Sequence, residues 1–271
     1  MLLASDLDGT LIPSDDGVEH RAALRRFRSA LARRPDIRLA YVTGRRKDLA
    51  EAAIRDHGLP GPDFLACDVG TSIYLATDRG FEPDPDYAER MVEAMGGTTA
   101  EEIRGLLAHV QALRPQSPEN QSDFKASYEF GLERRDAVTR AVLERLGDRP
   151  LSVVVSHDPY RGTGLLDVLP AGVAKHTAIA HLRTHADVDH DGLYYAGDSG
   201  NDLAAMLDGY RVIVVGNAPA SLKSTLREEA TKRGILDRLY FAEAPYAGGV
   251  LEGCRHWGLF DDERAQESEG A

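Results

Sequence analysis

The sequence predicts an α/β fold: a doubly wound, mostly parallel sheet whose chain is interrupted by an inserted α+β domain. Short apolar runs, typical of buried strands, alternate with helical segments at both ends of the chain. The middle of the chain, about 79–170, breaks this alternation, because two helices are followed there by a group of strands. Polar segments containing Asp, Thr and Gly directly follow several of the apolar runs.

The first part of the chain predicts alternating strands and helices. The apolar run that begins at Leu2 predicts a buried strand, and apolar residues at helical spacing predict the helix that follows. The predicted elements are this first strand, a helix over 19–34, a strand over 37–42, a helix over 47–57, a strand over 64–67 and a hairpin through 73–75.

The middle of the chain predicts the inserted domain. Thr99 followed by acidic residues is typical of a helix cap, so one helix is expected from there to about Leu113. Residues 114–120 are expected to form a loop, because they include prolines. The other predicted elements are a helix from Tyr87, strands over 124–130, 151–156 and 164–169, and a helix over 134–146.

Alternation returns in the last part of the chain. Predicted there are helices over 173–182, 203–207, 221–233 and 248–257, and strands over 192–196, 211–215 and 239–242. We therefore assign 1–78 and 171–260 to one catalytic core and 79–170 to the inserted domain. The tail, 261–271, is polar and lacks periodicity, which predicts disorder.

Composition excludes some partners. The 271 residues carry a net charge of −12, from 44 acidic and 32 basic side chains, which argues against nucleic acid and acidic membranes. Cys67 and Cys254 form no metal-spaced pair, so a reduced, cytoplasmic setting is expected. No apolar stretch approaches the roughly 20 residues that span a bilayer. We expect a soluble monomer or small homo-oligomer.

Two carboxylates at the end of the first strand carry the first functional hypothesis. Asp6 and Asp8 stand at i and i+2, and strand alternation would place them on the same side of the backbone. Such like charges repel, so a proton or a cation is expected between them. Gly9 permits a sharp turn there, and Thr10 adds a hydroxyl. The alternative is an ordinary surface turn.

Three further segments resemble parts of a phosphate site. They are Thr43-Gly44-Arg45 and Gly197–Asp202, each at the end of a predicted strand, and Lys175 at the start of a predicted helix. Because ligands bind outside the carboxyl ends of strands in open α/β sheets, Asp6, Thr43 and Asp198 can converge on one cleft. Each segment alone has a simpler reading, as a helix cap or a solvated lysine.

Together, in this order, the four segments resemble the motifs of the haloacid dehalogenase superfamily of phosphatases, with its Rossmann-like core. Within that superfamily the chain most resembles the Cof-type and sucrose-phosphate phosphatase-like subfamily, whose C2-type cap matches the inserted domain. The features that carry this likeness are Val69-Gly70-Thr71, Lys125–Tyr128 and Leu166–Pro170. Phe124 departs from it, because a polar residue, often His, is expected before the lysine, so the sugar stays open.

The resemblance implies a mechanism with Mg²⁺ as the cofactor. Asp6 would be the nucleophile and Asp8 the general acid and base. The resemblance implies that Mg²⁺ is held by Asp6, by Asp8 through its backbone carbonyl, and by Asp198. Asp202 would either bind the metal or orient its neighbours. Thr43, Gly44, Lys175 and Asn201 would bind the phosphoryl group.

The implied substrate is a small sugar phosphate, such as sucrose 6-phosphate or a related disaccharide or glycoside phosphate. Candidate sugar contacts are Arg45, Lys125 and Tyr128, although Lys125 could lie on a solvated strand face and Tyr128 in the core of the inserted domain. Two alternative functions are a phosphosugar mutase with the same fold and a regulatory protein that binds sugar phosphate without hydrolysing it.

Overall fold

The computed structural model describes residues 1–15, 17–158 and 162–261. The chain forms two compact units. The first unit contains Met1–Val42, Ala52–Phe64 and the chain from Ile179 onward; the second contains Thr43–Glu51 and Leu65–Ala178. The prediction of a disordered tail falls, from residue 262 onward, outside the described residues. The assignment of 1–78 and 171–260 to a core and of 79–170 to an inserted domain stays a prediction.

The helices and strands alternate at both ends of the chain. The strands are β1 (Leu2–Ser5), β2 (Arg38–Val42), β3 (Phe64–Cys67), β4 (Ser72–Thr77), β5 (Gly80–Pro83), β6 (Arg114–Pro115), β7 (Ala126–Gly131), β8 (Leu151–Asp158), β9 (Thr163–Pro170), β10 (Leu193–Gly197), β11 (Arg211–Val214) and β12 (Leu239–Phe241). The α-helices are α1 (Val18–Ala32), α2 (Lys47–Asp56), α3 (Pro85–Ala94), α4 (Ala100–Leu107), α5 (Arg135–Leu146), α6 (Lys175–His185), α7 (Leu203–Met206), α8 (Ala220–Arg233) and α9 (Tyr246–His256).

The first unit is built on parallel strands in the order β12-β11-β10-β1-β2. All four residues of β1 are buried, as is every residue of β10, which explains why these strands are continuous apolar runs in the sequence. Parallel strands have all their carboxyl ends at one edge. The segments that follow β1 and β10 therefore begin at the same edge of this sheet.

The second unit contains an antiparallel hairpin, β4–β5, and a four-stranded antiparallel sheet in the order β6-β7-β9-β8. Helices α4 and α5 contact strands of this sheet. Tyr128, Phe130 and Leu166 from the strands pack with Ile103 and Leu146 from these helices in one apolar cluster. The second unit therefore has a hydrophobic core of its own around this sheet.

The structure confirms the predicted α/β class and most of the elements. One boundary was wrong: the helix capped at Thr99 ends at Leu107 rather than near Leu113. Beyond it, Ala112 has a φ of 70°, which no right-handed helix contains. Arg114–Pro115 then forms β6, where a loop was expected, because it pairs with β7. Pairing with a distant strand thus ends the helix earlier than local pattern indicates.

None of the helices in the described part of the chain combines the length and the apolar character needed to cross a membrane.

The predicted capping box of α4 is present: the Thr99 hydroxyl accepts from the Glu102 amide, and the Glu102 carboxylate accepts from the Thr99 amide. The hairpin expected around Ile73 is also present, as β4 and β5.

The apolar cluster of the second unit predicts how two leucines of one helix differ. Leu146 is 2% exposed in that cluster, whereas Leu143 of α5 is 50% exposed. Leu146→Ala should lower the free energy of unfolding by about 2–5 kcal/mol, because it removes buried methyl groups and leaves a cavity. Leu143→Ala should change it by less than about 1 kcal/mol. Urea denaturation followed by circular dichroism measures both, and equal losses would contradict this packing.

Candidate active site

Asp6 lies in the turn that follows β1. Its amide donates to the carbonyl of Ala196 in β10 (3.0 Å), and its Oδ1 accepts from the amide of Leu7 (2.7 Å). The side chain is 4% exposed. These hydrogen bonds fix the carboxylate at the carboxyl end of β1, as the sequence predicted.

The next residues turn sharply at Gly9. Gly9 has a φ of +77°, and a Cβ there would clash with the carboxylate of Asp198, so this backbone requires glycine. Thr10 donates from Oγ1 to Oδ1 of Asp198 (2.9 Å), and Asn217 donates from Nδ2 to the Gly9 carbonyl (2.7 Å). The turn after β1 and the segment after β10 are therefore held together.

Three carboxylates gather at this point. Asp6, Asp198 and Asp202 each contribute one oxygen, and these oxygens lie within 4.8 Å of one another. Asp6 and Asp202 are buried, and Asp198 is half-buried. Oxygen ligands of this kind suit a hard divalent cation, whose charge would offset their mutual repulsion. The acidic residues that the sequence analysis assigned to a metal site thus include a group able to hold one.

Asp202 also organises its own loop. Its Oδ2 accepts from the amides of Asp198 (3.1 Å) and Ser199 (2.9 Å) and from the Ser199 hydroxyl, and its Oδ1 accepts from the Tyr195 hydroxyl. Burial raises the pKa of Tyr195 well above its usual value, and the neighbouring Asp202 and Asp6 raise it further. The tyrosine therefore stays a donor that fixes Oδ1 of Asp202, while Oδ2 holds the segment that begins at Asp198.

Asp8 and Asn201 are less buried than Asp6 and Asp202. The side chain of Asp8 is exposed, and because β1 ends at Ser5, strand alternation does not place Asp8 relative to Asp6. This corrects the reason given in the sequence analysis; the assignment of Asp8 itself stays a prediction. Asn201 is half-buried, and its Oδ1 accepts from the Ser199 hydroxyl (2.8 Å).

The second unit holds three of the four residues predicted to bind the phosphoryl group, namely Thr43, Gly44 and Lys175, whereas Asn201 belongs to the first unit. Thr43 is fully buried, its amide donates to the Ala66 carbonyl (2.9 Å), and its Oγ1 accepts from the amide of Arg45 (3.2 Å). Lys175, the first residue of α6, is also fully buried. A buried ammonium group requires compensating partners, so Lys175 is not the solvated lysine of the simpler reading.

The two residues predicted to contact sugar from the inserted domain are buried. Lys125 is 4% exposed; its Nζ forms an ion pair with Oδ1 of Asp68 (3.1 Å) and donates to the Gly44 carbonyl (3.1 Å). Tyr128 is 2% exposed and belongs to the apolar cluster of the second unit. For Tyr128 the structure therefore supports the core alternative, and for Lys125 it rules out a solvated strand face.

Asp68 is a residue that the sequence analysis did not single out. It follows β3 directly, as Asp6 follows β1 and Asp198 follows β10, and this repeated pattern could have revealed it. It is 1% exposed. Burial raises the pKa of its carboxyl group, while the charge of Lys125 acts in the opposite direction.

Another feature missed in the sequence is a cavity of about 540 Å³ in the second unit. Its wall combines aromatic side chains with charged and amide side chains. These include Tyr74, Tyr87, Phe124, Arg46, Asp68 and Gln121. The lining residues come from distant parts of the unit, so no local pattern could have grouped them.

Comparisons with known proteins identify the family and the fold of this chain. The model of the sucrose-6F-phosphate phosphohydrolase family matches residues 1–258. A protein of Nitrosococcus oceani described as a HAD-like hydrolase is 37% identical, over 98% of this chain and 73% of that protein. The mannosylfructose-phosphate phosphatase of Agrobacterium fabrum is 30% identical, over 95% of this chain and 97% of its own length.

A solved structure shares the fold. The sucrose-phosphatase of Synechocystis, determined in complex with sucrose and phosphate, aligns with a TM-score of 0.77 at 28% identity. The alignment covers 97% of this chain and 99% of that protein. It therefore includes most of both units.

The carboxylate group after β1 and β10 predicts stabilisation by a divalent cation. Because a ligand that binds the folded state raises its stability, saturating Mg²⁺ should raise Tm by several degrees. Asp198→Asn should remove most of that shift, since it removes one charged ligand. Asp237→Asn, an exposed control in the same unit, should retain it. Differential scanning fluorimetry with and without Mg²⁺ measures the shifts, and equal shifts in all three proteins would contradict the site.

Proposed function

We propose that this chain, which belongs to the sucrose-6F-phosphate phosphohydrolase family of haloacid dehalogenase phosphatases, is a Mg²⁺-dependent sugar phosphatase that works through an aspartyl-phosphate. Its substrate is sucrose 6-phosphate or a related disaccharide or glycoside phosphate. The observation that carries the proposal is the group formed by Asp6, Asp198 and Asp202 in a chain that the family matches over 1–258.

The residues of the first unit fit a magnesium ion. Asp6 and Asp198 would hold it through carboxylate oxygens, together with the backbone carbonyl of Asp8, and Asp202 would keep the Asp198 segment in place. When bound, the ion would supply positive charge that shields the attacking carboxylate from the charge of the phosphate. Without such compensation, an anionic nucleophile and an anionic phosphate monoester repel each other.

Asp6 and Asp8 divide the chemistry between them. An oxygen of Asp6 attacks phosphorus in line, so that a bond from Asp6 to phosphorus forms as the bond to the sugar oxygen breaks. Asp8 gives its proton to that leaving oxygen. It then takes a proton from the water that attacks the aspartyl-phosphate, which releases inorganic phosphate and restores Asp6. The exposure of Asp8 suits this exchange of protons with water.

Four other residues would bind the phosphoryl oxygens. The Thr43 hydroxyl and the backbone amide of Gly44 donate hydrogen bonds, and Asn201 adds a side-chain amide. Lys175 supplies a positive charge that is fully buried, where electrostatic attraction is stronger than in water. These donors stabilise the negative charge that spreads over the oxygens during transfer.

The cavity of the second unit would take the sugar. Aromatic rings such as Tyr74 and Phe124 offer flat apolar surfaces to the carbon face of a sugar ring, and Gln121 and Arg46 offer hydrogen bonds to hydroxyl groups. Arg45, at the edge of the phosphoryl-binding segment, remains a candidate sugar contact. The presence of Phe124 in this wall supports a role for it in choosing the sugar.

The function is tested by phosphate release from a substrate panel. Sucrose 6-phosphate, trehalose 6-phosphate, glucosylglycerol phosphate and mannosylfructose phosphate are incubated with the protein and Mg²⁺, and inorganic phosphate is measured. At least one should be hydrolysed, and Asp6→Asn should lower kcat by about 10³-fold or more, because it removes the nucleophile. Asp237→Asn should keep full activity. Isomerisation of the sugar phosphate with little phosphate released would contradict the proposal.

Because Asp8 is proposed to act in both steps, we expect the Asp8→Asn variant to release its first product in a burst. p-Nitrophenyl phosphate has a leaving group that needs no proton, so formation of the aspartyl-phosphate should stay fast while its hydrolysis slows by about 10²–10⁴-fold. Stopped-flow absorbance should therefore show one equivalent of nitrophenolate followed by slow turnover. A uniformly slow release without a burst would contradict the assignment of Asp8 as the base.

A further inference from the structure

Residues Thr43–Arg45 are here called the 43–45 loop. The backbone carbonyl of each of the three residues accepts a hydrogen bond. The Thr43 carbonyl accepts from the amide of Val69 (3.1 Å), and the Arg45 carbonyl from the amide of Asp68 (2.9 Å). The Gly44 carbonyl accepts from Nζ of Lys125 (3.1 Å). A planar peptide joins the carbonyl of one residue to the amide of the next. Fixing these three carbonyls therefore sets the directions of the amides of Gly44, Arg45 and Arg46.

The donors Asp68 and Val69 belong to an unusual turn. Asp68, Val69 and Gly70 have φ values of 55°, 61° and 93°, so three residues in succession are left-handed. For a β-branched residue such as Val69 this conformation costs energy, and it persists only where the surroundings impose it. All three residues are buried. Contacts with the surrounding residues must therefore hold the 68–70 turn in its left-handed conformation.

The same turn contacts the start of α6. A Cβ on Gly70 would lie 2.6 Å from the carbonyl oxygen of Ala174 and 2.9 Å from the amide nitrogen of Lys175, so the two backbones meet at the closest approach that glycine allows. The Tyr87 hydroxyl also donates to the Gly70 carbonyl (2.6 Å). The 68–70 turn is thus in contact both with the 43–45 loop and with the backbone that carries Lys175.

Lys125 forms an ion pair with the first residue of this turn. Its ion pair with Asp68 is almost fully buried on both sides, with exposures of 4% and 1%. Its charge also acts on Asp167, whose carboxylate accepts from the Ser127 hydroxyl (2.5 Å). One ammonium group therefore compensates two acids and at the same time holds the Gly44 carbonyl.

We propose that Lys125 is a positioning residue for phosphate binding. From the residue before β7 it fixes the Gly44–Arg45 peptide directly, and the amide of that peptide donates to the Thr43 hydroxyl. Through Asp68 it holds the left-handed turn, whose Val69 amide fixes the Thr43–Gly44 peptide and with it the Gly44 amide. The same turn abuts Lys175. This inference rests on the proposed function, since it assumes that the 43–45 loop and Lys175 bind the phosphoryl group. It gives Lys125 a role that needs no contact with the sugar.

The test separates phosphate affinity from sugar affinity. Inhibition by inorganic phosphate and by the free sugar of the best panel substrate is measured with p-nitrophenyl phosphate as substrate, for the wild type and for Lys125→Met. We expect the inhibition constant of phosphate to rise about tenfold and that of the free sugar to stay unchanged. The rise in Tm with Mg²⁺ should also be unchanged, because the carboxylate group of the first unit is intact.

Two variants serve as controls. Lys232→Met breaks an exposed ion pair with Glu228 and should leave phosphate inhibition unchanged. The double variant Lys125→Met with Asp68→Asn removes both charges of the ion pair, and Asp167 keeps its hydrogen bond from Ser127. Because Asn also tolerates the left-handed conformation, this variant should fold even if the single variant does not. Inorganic phosphate should still inhibit this variant more weakly than the wild type, because the Gly44 carbonyl has lost the hydrogen bond from Lys125.

Two results would overturn the inference: unchanged phosphate inhibition in the folded variants, or weaker inhibition by the free sugar alone, which would make Lys125 a sugar ligand. Failure of the proposed function gives a different result. In that case the wild type itself releases no phosphate from any sugar phosphate of the panel.

Discussion

The repulsion between carboxylates in the first unit is the constraint on which the site depends. Asp6, Asp198 and Asp202 reach within 4.8 Å of one another because β1 and β10 are parallel neighbours whose following turns start at the same edge. Gly9 and Thr10 hold the turns together, and Tyr195 holds Asp202. Because several contacts of this fold hold like charges close together, the fold is suited to binding a cation. A bound cation would reduce the repulsion between an attacking carboxylate and an anionic phosphate.

The second unit contains buried polar side chains that the proposed function assigns to phosphate binding. Thr43 and Lys175 are fully buried, so their polar groups are positioned by packing rather than by solvent. Lys125, which directly precedes β7 of the four-stranded sheet, donates from Nζ to the Gly44 carbonyl. If the proposed function is right, the predicted inserted domain would do more than select a sugar, because its residue Lys125 also supports the loop proposed to bind the phosphoryl group.

Much of the site could be predicted because its residues follow apolar strands. Asp6 and Asp198 are found by this rule, and Asp68 would have been found by it as well. The role of Lys125 could not be predicted, since its partners are a backbone carbonyl 81 residues away and a turn whose left-handed residues leave no pattern in the sequence. The early end of α4 was missed for a related reason, because the pairing of β6 with β7 is not a local property.

The most direct test of the central claim is a crystal structure with Mg²⁺ and beryllium fluoride, which mimics a phosphoryl group on a carboxylate. We expect beryllium bonded to an oxygen of Asp6, with Mg²⁺ bound by the carboxylates of Asp6 and Asp198. Beryllium fluoride and Mg²⁺ bound at another place, with the Asp6 carboxylate free, would contradict it.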